Sequence, residues 1–394
     1  MKKKIFAVFL VVMMIGTSVA PVFGETLSLE QAVKIMKTEG VRAETAELNK
    51  KSDLAVANGY SEKASTIKKT LEGLEKLESL PDNYLEALGY TRSKVMELSY
   101  EAQVAGATQN NKKILTLRRS FALENAQNNY QADMNKIQEE TIRMYYTVLL
   151  AQDNYKISRD NLVAQEKNLK TILAKKNVGL LSKKDVLQAQ NAKLEAEKEM
   201  RVAKSKVDYA SMSFNYLMGF DVMQGLALQD RLMEVTEGAI EVEASVVAAQ
   251  ANRNEIRGAN FAKEIYGILL KDVSAYPKSS STFLNAQINL LTAEKTAKDA
   301  WTQIEIDIRN RTADVADKKA TLQSAKALAS YAEEGARLIK LTNEEGLSTV
   351  EELLTSQVNL YKARLNVSKA ISEYNIALYE LKDAQGVGTM RIPL

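Results

Sequence analysis

One stretch of this chain is written twice, and that repetition constrains the fold more than any other feature. Shifted by 167 positions, Gly179–Gly219 falls on Gly346–Gly386 without a gap. Leu180 meets Leu347, Asp185 meets Glu352, Leu187 meets Leu354 and Gln190 meets Gln357. Ala196, Ala203 and Ala210 meet Ala363, Ala370 and Ala377. A gapless repeat is one supersecondary unit built twice, so the unit decides the architecture. In each copy a helical pattern ending in lysine (Lys175-Lys176, Lys340) stops at a glycine. Helices end this way because glycine takes the left-handed residue that closes the last turn. Ser182 or Thr349 then caps the next pattern, with Asp185 or Glu352 three residues on, the spacing of a capping box. Each copy is therefore the tip of a hairpin of antiparallel helices.

The helices behind the tips are long. Inward positions recur at Leu123, Ala126, Tyr130, Met134, Ile137, Thr141, Met144, Val148, Ala151, Tyr155, Ser158, Leu162, Gln165, Leu169 and Ile172, in steps of three and four. That is a heptad seam. Residues 121–177 as one helix measure roughly 85 Å at 1.5 Å per residue. Ile304, Ile308, Val315, Leu322, Ala325, Ala329, Ala332, Ala336 and Ile339 form a weaker seam in the second repeat, and its alanines bring the partner helix close. The expected fold is all-α, more than about three-quarters helical against the usual third. It consists of long antiparallel coiled-coil hairpins in two tandem repeats. The first repeat covers 25–219 with its tip near 179–185, and the second covers 226–386 with its tip near 346–352.

Shorter features complete the reading. Leu29–Ser65 is a first helix capped by Ser28 with Gln31, and Gly238–Leu270 mirrors it. Residues 66–120 are broken by Gly73, Pro81, Gly89 and Gly106, with two short amphipathic helices around Pro81. Asn110–Lys113 reads as a turn, Gly219–Gly225 as the linker between repeats, and Lys271–Ser281 as a loop. Residues 387–394 read as an unstructured tail.

The amino terminus reads as a secretory signal peptide, 1–24: Lys2–Lys4, an apolar run Ile5–Ile15 too short to span a bilayer, then small residues before a cut after Gly24. This leader carries the whole formal charge of +3, so 50 basic residues face 50 acidic ones after it is removed. A neutral chain with mixed charges offers no case for a nucleic-acid partner. With no histidine and no cysteine, the commonest general base, metal ligands and nucleophile are missing. No phosphate loop or nucleophile elbow occurs. No enzyme activity, catalytic residue, metal or cofactor is expected.

Three segments carry a family resemblance: LSLEQAVKIM at the start, NVGLLSKKDVLQAQNAKLEAEKEM, and NEEGLSTVEELLTSQVNLYKARLNVSKAISEYNIALYELKDAQG. The chain resembles the TolC family of outer-membrane efflux proteins over both repeats. The resemblance implies a homotrimer forming a twelve-helix tube. The tips would meet a periplasmic adaptor and an inner-membrane pump, and small molecules or proteins would pass outward. It implies a lumen constriction at Glu352, with Asp185 its counterpart; a further family acid would fall at Thr355. It implies adaptor contact at Gly179, Leu180, Gly346 and Leu347. Family members carry membrane-barrel strands near 60–120 and 266–285, but no stretch here alternates as such a strand would. The barrel is therefore expected to be reduced or absent, which leaves the nature of any membrane contact open. The alternative reading is an exported coiled-coil protein of the cell envelope with a structural or binding role. A helix-capping role alone for Asp185 and Glu352, and a core role for the seam tyrosines Tyr130, Tyr145, Tyr155, Tyr361 and Tyr374, compete with the functional readings.

Overall fold

The computed structural model describes residues 26–394, so the expected leader lies outside the described residues. Helices make up 82% of them, and no strand occurs among them. The described helices are α1 (Leu29–Thr38), α2 (Val41–Ser79), α3 (Asp82–Ala87), α4 (Arg92–Val104), α5 (Gln109–Asn177), α6 (Lys183–Met218), α7 (Val242–Asn252), α8 (Asn254–Asp272), α9 (Ser281–Glu344) and α10 (Val350–Ala384). The expected pair of tandem hairpins is present as α5–α6 and α9–α10. At 69 residues α5 is about 100 Å long.

Packing arranges the helices side by side rather than around a globular core. Toward the tips the lateral order is α6, α5, α10, α9; toward the other end it is α2, α5, α8, α9. α5 lies inside this layer, with neighbours on both sides, which explains why it buries two faces. Ile137, Val148 and Ile172 of the expected seam are buried, and so are Asn125, Asn129, Tyr145 and Leu149 on other faces. The largest apolar cluster sits mid-length, where Met36 of α1, Tyr145 and Leu149 of α5, and Phe214 and Met218 of α6 converge. Tyr145 is edge-on to Phe214, with ring centroids 6.0 Å apart. Its hydroxyl donates to Leu27 O or Asp230 at 2.9 and 2.7 Å, fastening the start of α1 to the linker between repeats. Asn375 holds the same linker against α10: its amide donates to Met233 O at 2.7 Å and its carbonyl accepts from Val235 N–H at 2.9 Å.

Four local expectations are corrected. Asn110–Lys113 is the first turn of α5, not a loop. Gly106, at φ 83°, closes the preceding segment, and Thr108 caps α5 by accepting the Asn111 N–H at 3.1 Å. Polar residues at that place occupy a helix N-terminus, where unpaired N–H groups welcome them. The tail 387–394 is held by side-chain and main-chain bonds, because buried polar groups of α2, α5 and α8 face it. Gly73 does not break α2, because Leu71, Leu74 and Leu77 on its inner face keep the helix packed. The linker is also longer than read, continuing without helix from Gly219 to Glu241.

Candidate functional site at the hairpin tips and free edges

The two tips are built alike. Gly179 and Gly346 stand at φ 81° and 77°, in the left-handed region. Leu180 N–H bonds to Lys175 O at 3.0 Å and Leu347 N–H to Thr342 O at 2.8 Å. This is the closure that satisfies the last carbonyls of a helix once glycine has turned the chain. Both leucines then point outward, 72% and 81% exposed. The tips share one end of the molecule. Ile172, Val186, Ala189, Val350 and Leu354 form a common apolar cluster behind them, and Lys175 Nζ donates to Asn343 O at 2.8 Å.

Asp185 and Glu352 are brought to this end but do not bond to each other. Each closes a capping box. Asp185 accepts the Ser182 N–H at 2.8 Å and its hydroxyl at 2.6 Å. Glu352 accepts the Thr349 N–H at 2.7 Å and its hydroxyl at 3.0 Å. The Ser182 hydroxyl and amide hold the Asp185 carboxyl below its usual range; the Thr349 amide, then its hydroxyl, does the same for Glu352. Both are therefore ionised as well as anchored.

The sequence reading missed a second feature, which lies on the outermost helices of the layer. α6 leaves Leu187, Leu194, Val202, Tyr209 and Tyr216 exposed, a stripe close to heptad spacing. α9 leaves Leu328, Tyr331, Leu338 and Leu341 exposed on the opposite edge. Counted from the tip glycines, Leu187 and Leu338 each lie eight residues away, and Leu194 and Tyr331 each fifteen. A groove of about 800 Å³ opens between α5 and α6, lined by Met144, Leu150, Lys198, Val202 and Tyr209. The signal for this stripe was in the sequence, as a second heptad of α6 beside the one used for its packing.

No protein-family profile matches the chain, and no curated protein does. Solved structures match. The outer membrane protein VceC of Vibrio cholerae aligns with TM-score 0.66 at 12% identity, over 92% of this chain and 97% of that one. A membrane protein from Pseudomonas aeruginosa aligns with TM-score 0.65 at 12% identity, over 91% and 90%. The CmeC outer membrane channel of Campylobacter jejuni aligns with TM-score 0.57 at 12% identity, over 71% and 69%. At such identities the likeness is one of fold. The described chain has the TolC-like helical fold of these proteins, with no strand among its described residues.

Proposed function

We propose that three copies of this exported chain close into a TolC-like conduit in the cell envelope. Small molecules or proteins would pass outward through it, with an adaptor at the hairpin tips and an inner-membrane pump beyond. The observation that carries this reading is the pair of unpartnered edges. A layer four helices wide, with apolar stripes at equal heights on its two outermost members, offers a heterologous interface, which makes a ring when the rotation between copies closes. Leu187 faces Leu338 and Leu194 faces Tyr331 across such a junction. The tip leucines are the adaptor contacts in this reading, and Glu352 narrows the lumen. CmeC, among the matching folds, is an outer membrane channel, which supports a passage rather than a catalyst.

The natural chain has no cysteine, so paired cysteines report the junction cleanly. Leu194→Cys with Tyr331→Cys should give disulfide-linked dimers and trimers under mild oxidation, with light scattering of the unmodified protein giving three copies. A monomer at high concentration, with no cross-linked ladder, would remove the conduit and leave the envelope coiled coil.

A further inference from the structure

The last residues of the chain lie in a groove shaped to receive them. α10 ends at Ala384, and the chain then continues without helix between α2, α5 and α8. Three buried asparagines hold its backbone. Asn135 Nδ2 donates to Gly388 O at 2.9 Å, Asn254 Nδ2 to Met390 O at 3.0 Å and Asn129 Nδ2 to Ile392 O at 2.9 Å. Asn129 Oδ1 accepts the Ile392 N–H at 2.8 Å. Two side chains of the tail are also read. The Arg391 guanidinium reaches Asp133 at 2.6 Å and the two oxygens of Asp53 at 3.0 and 3.1 Å. Ile392 sits over Gly258, where a Cβ would lie 2.8 Å from its Cγ2.

Each observation argues against an accident of packing. Asn129 and Asn254 are fully buried, and a buried amide is destabilising unless it finds a partner. Asn254 Nδ2 also donates to Asn129 Oδ1 at 3.0 Å and Asn129 Nδ2 to Asp53 at 2.9 Å, which holds the groove in shape, while Asn135 Nδ2 takes its acceptor from the tail. Amides that bind main chain are indifferent to sequence, whereas an acid pair and a notch at a glycine are selective. This division of labour is that of a peptide-binding groove, where main-chain bonds give affinity and side-chain pockets give specificity.

We propose that the groove between α2, α5 and α8 is a recognition site for a non-helical peptide segment carrying arginine followed by a branched apolar residue. Residues 387–394 of the same chain are its resident ligand. Asp53, Asn129 and Asp133 belong to the first repeat, and Asn254, Gly258 and the tail to the second, so occupation straps the repeats together. The proposal does not depend on ring closure.

The test uses the full-length chain. In the wild type, the amide of Ile392, whose N–H Asn129 accepts, should exchange with solvent at least a hundredfold more slowly than in a free peptide. Arg391→Glu sets a carboxylate against Asp53 and Asp133, and should release that amide while circular dichroism stays unchanged. A fluorescein-labelled VGTMRIPL peptide should then bind the variant saturably and the wild type not at all. The same peptide with glutamate for arginine should bind at least tenfold more weakly. Fast exchange in the wild type, no binding to the released variant, or equal binding of both peptides would each overturn the proposal. If Arg391→Glu lowers helix content, Gly258→Leu takes its place: it fills the notch and should release the tail without admitting the added peptide. A tail still protected in that variant would equally overturn the assignment, and the wild-type exchange result stands by itself in either case.

Discussion

Glu352 is held at the first turn of α10 by the Thr349 amide, so its charge has a fixed position. A glutamine oxygen accepts the same bond, which is why either residue completes a capping box. Glu352→Gln therefore removes the charge and keeps the cap. In the proposed ring it should weaken divalent-cation block or alter cargo passage in a transport assay, with helix content unchanged. Unchanged transport beside a slightly lower melting temperature would assign the residue to capping alone. Asp383 offers a second residue-scale test. Burial pushes its carboxyl up to about 6, with Lys37 pulling the other way and Gln138 donating to it at 3.0 Å. An acid raised by folding binds more protons folded than unfolded between about 4 and 6, so its contribution to stability falls as pH rises through that window. Asp383→Asn should match the wild type near pH 4 and exceed it at pH 7.5, by roughly 1–2 kcal/mol after allowing for partial exposure. Equal melting temperatures at pH 7.5 would show that the carboxylate is better solvated than its surroundings suggest.

At the scale of elements, the tips show what local chemistry is able to specify. Gly179 and Gly346 have nothing within 4 Å of a would-be Cβ, so replacing either by alanine introduces backbone strain alone. Each Gly→Ala variant should lose about 1–2 kcal/mol, the ordinary cost of a left-handed L-residue, read as a lower melting temperature with intact helices. These turns were legible in the sequence, because helix caps are set by a few adjacent residues. The long seams were legible for a related reason: a heptad repeats its own signal. Asn110–Lys113 was misread because polarity alone does not distinguish a loop from a helix N-terminus, and the deciding residues, Gly106 and Thr108, precede it. The tail was misread because its partners lie 136 to 338 positions away in sequence. Asparagines buried for such distant partners look like ordinary surface positions of α5 until the tertiary structure assembles.

At the scale of the whole molecule, two properties of the described residues bear on the membrane. No helix among them is long and apolar enough to cross a bilayer, and α2–α4 and the α8–α9 turn stand where the family resemblance would place membrane strands. The mature protein is expected to give no stable single-channel steps in planar bilayers, and no change of gel mobility on boiling. Steady conductance with heat-modifiable mobility would mean that a barrel forms from segments helical here.

The uncovered edges also set a timetable for assembly. A free protomer carries Leu194, Tyr209, Leu328 and Tyr331 bare to water, and nothing among the described residues covers them. If closure takes three such protomers, the finished fraction rises roughly with the cube of their free concentration while assembly is incomplete. Halving synthesis then costs far more than half the tubes. The stragglers present long sticky flanks to proteases and to each other, so the dose of this chain matters as much as its sequence.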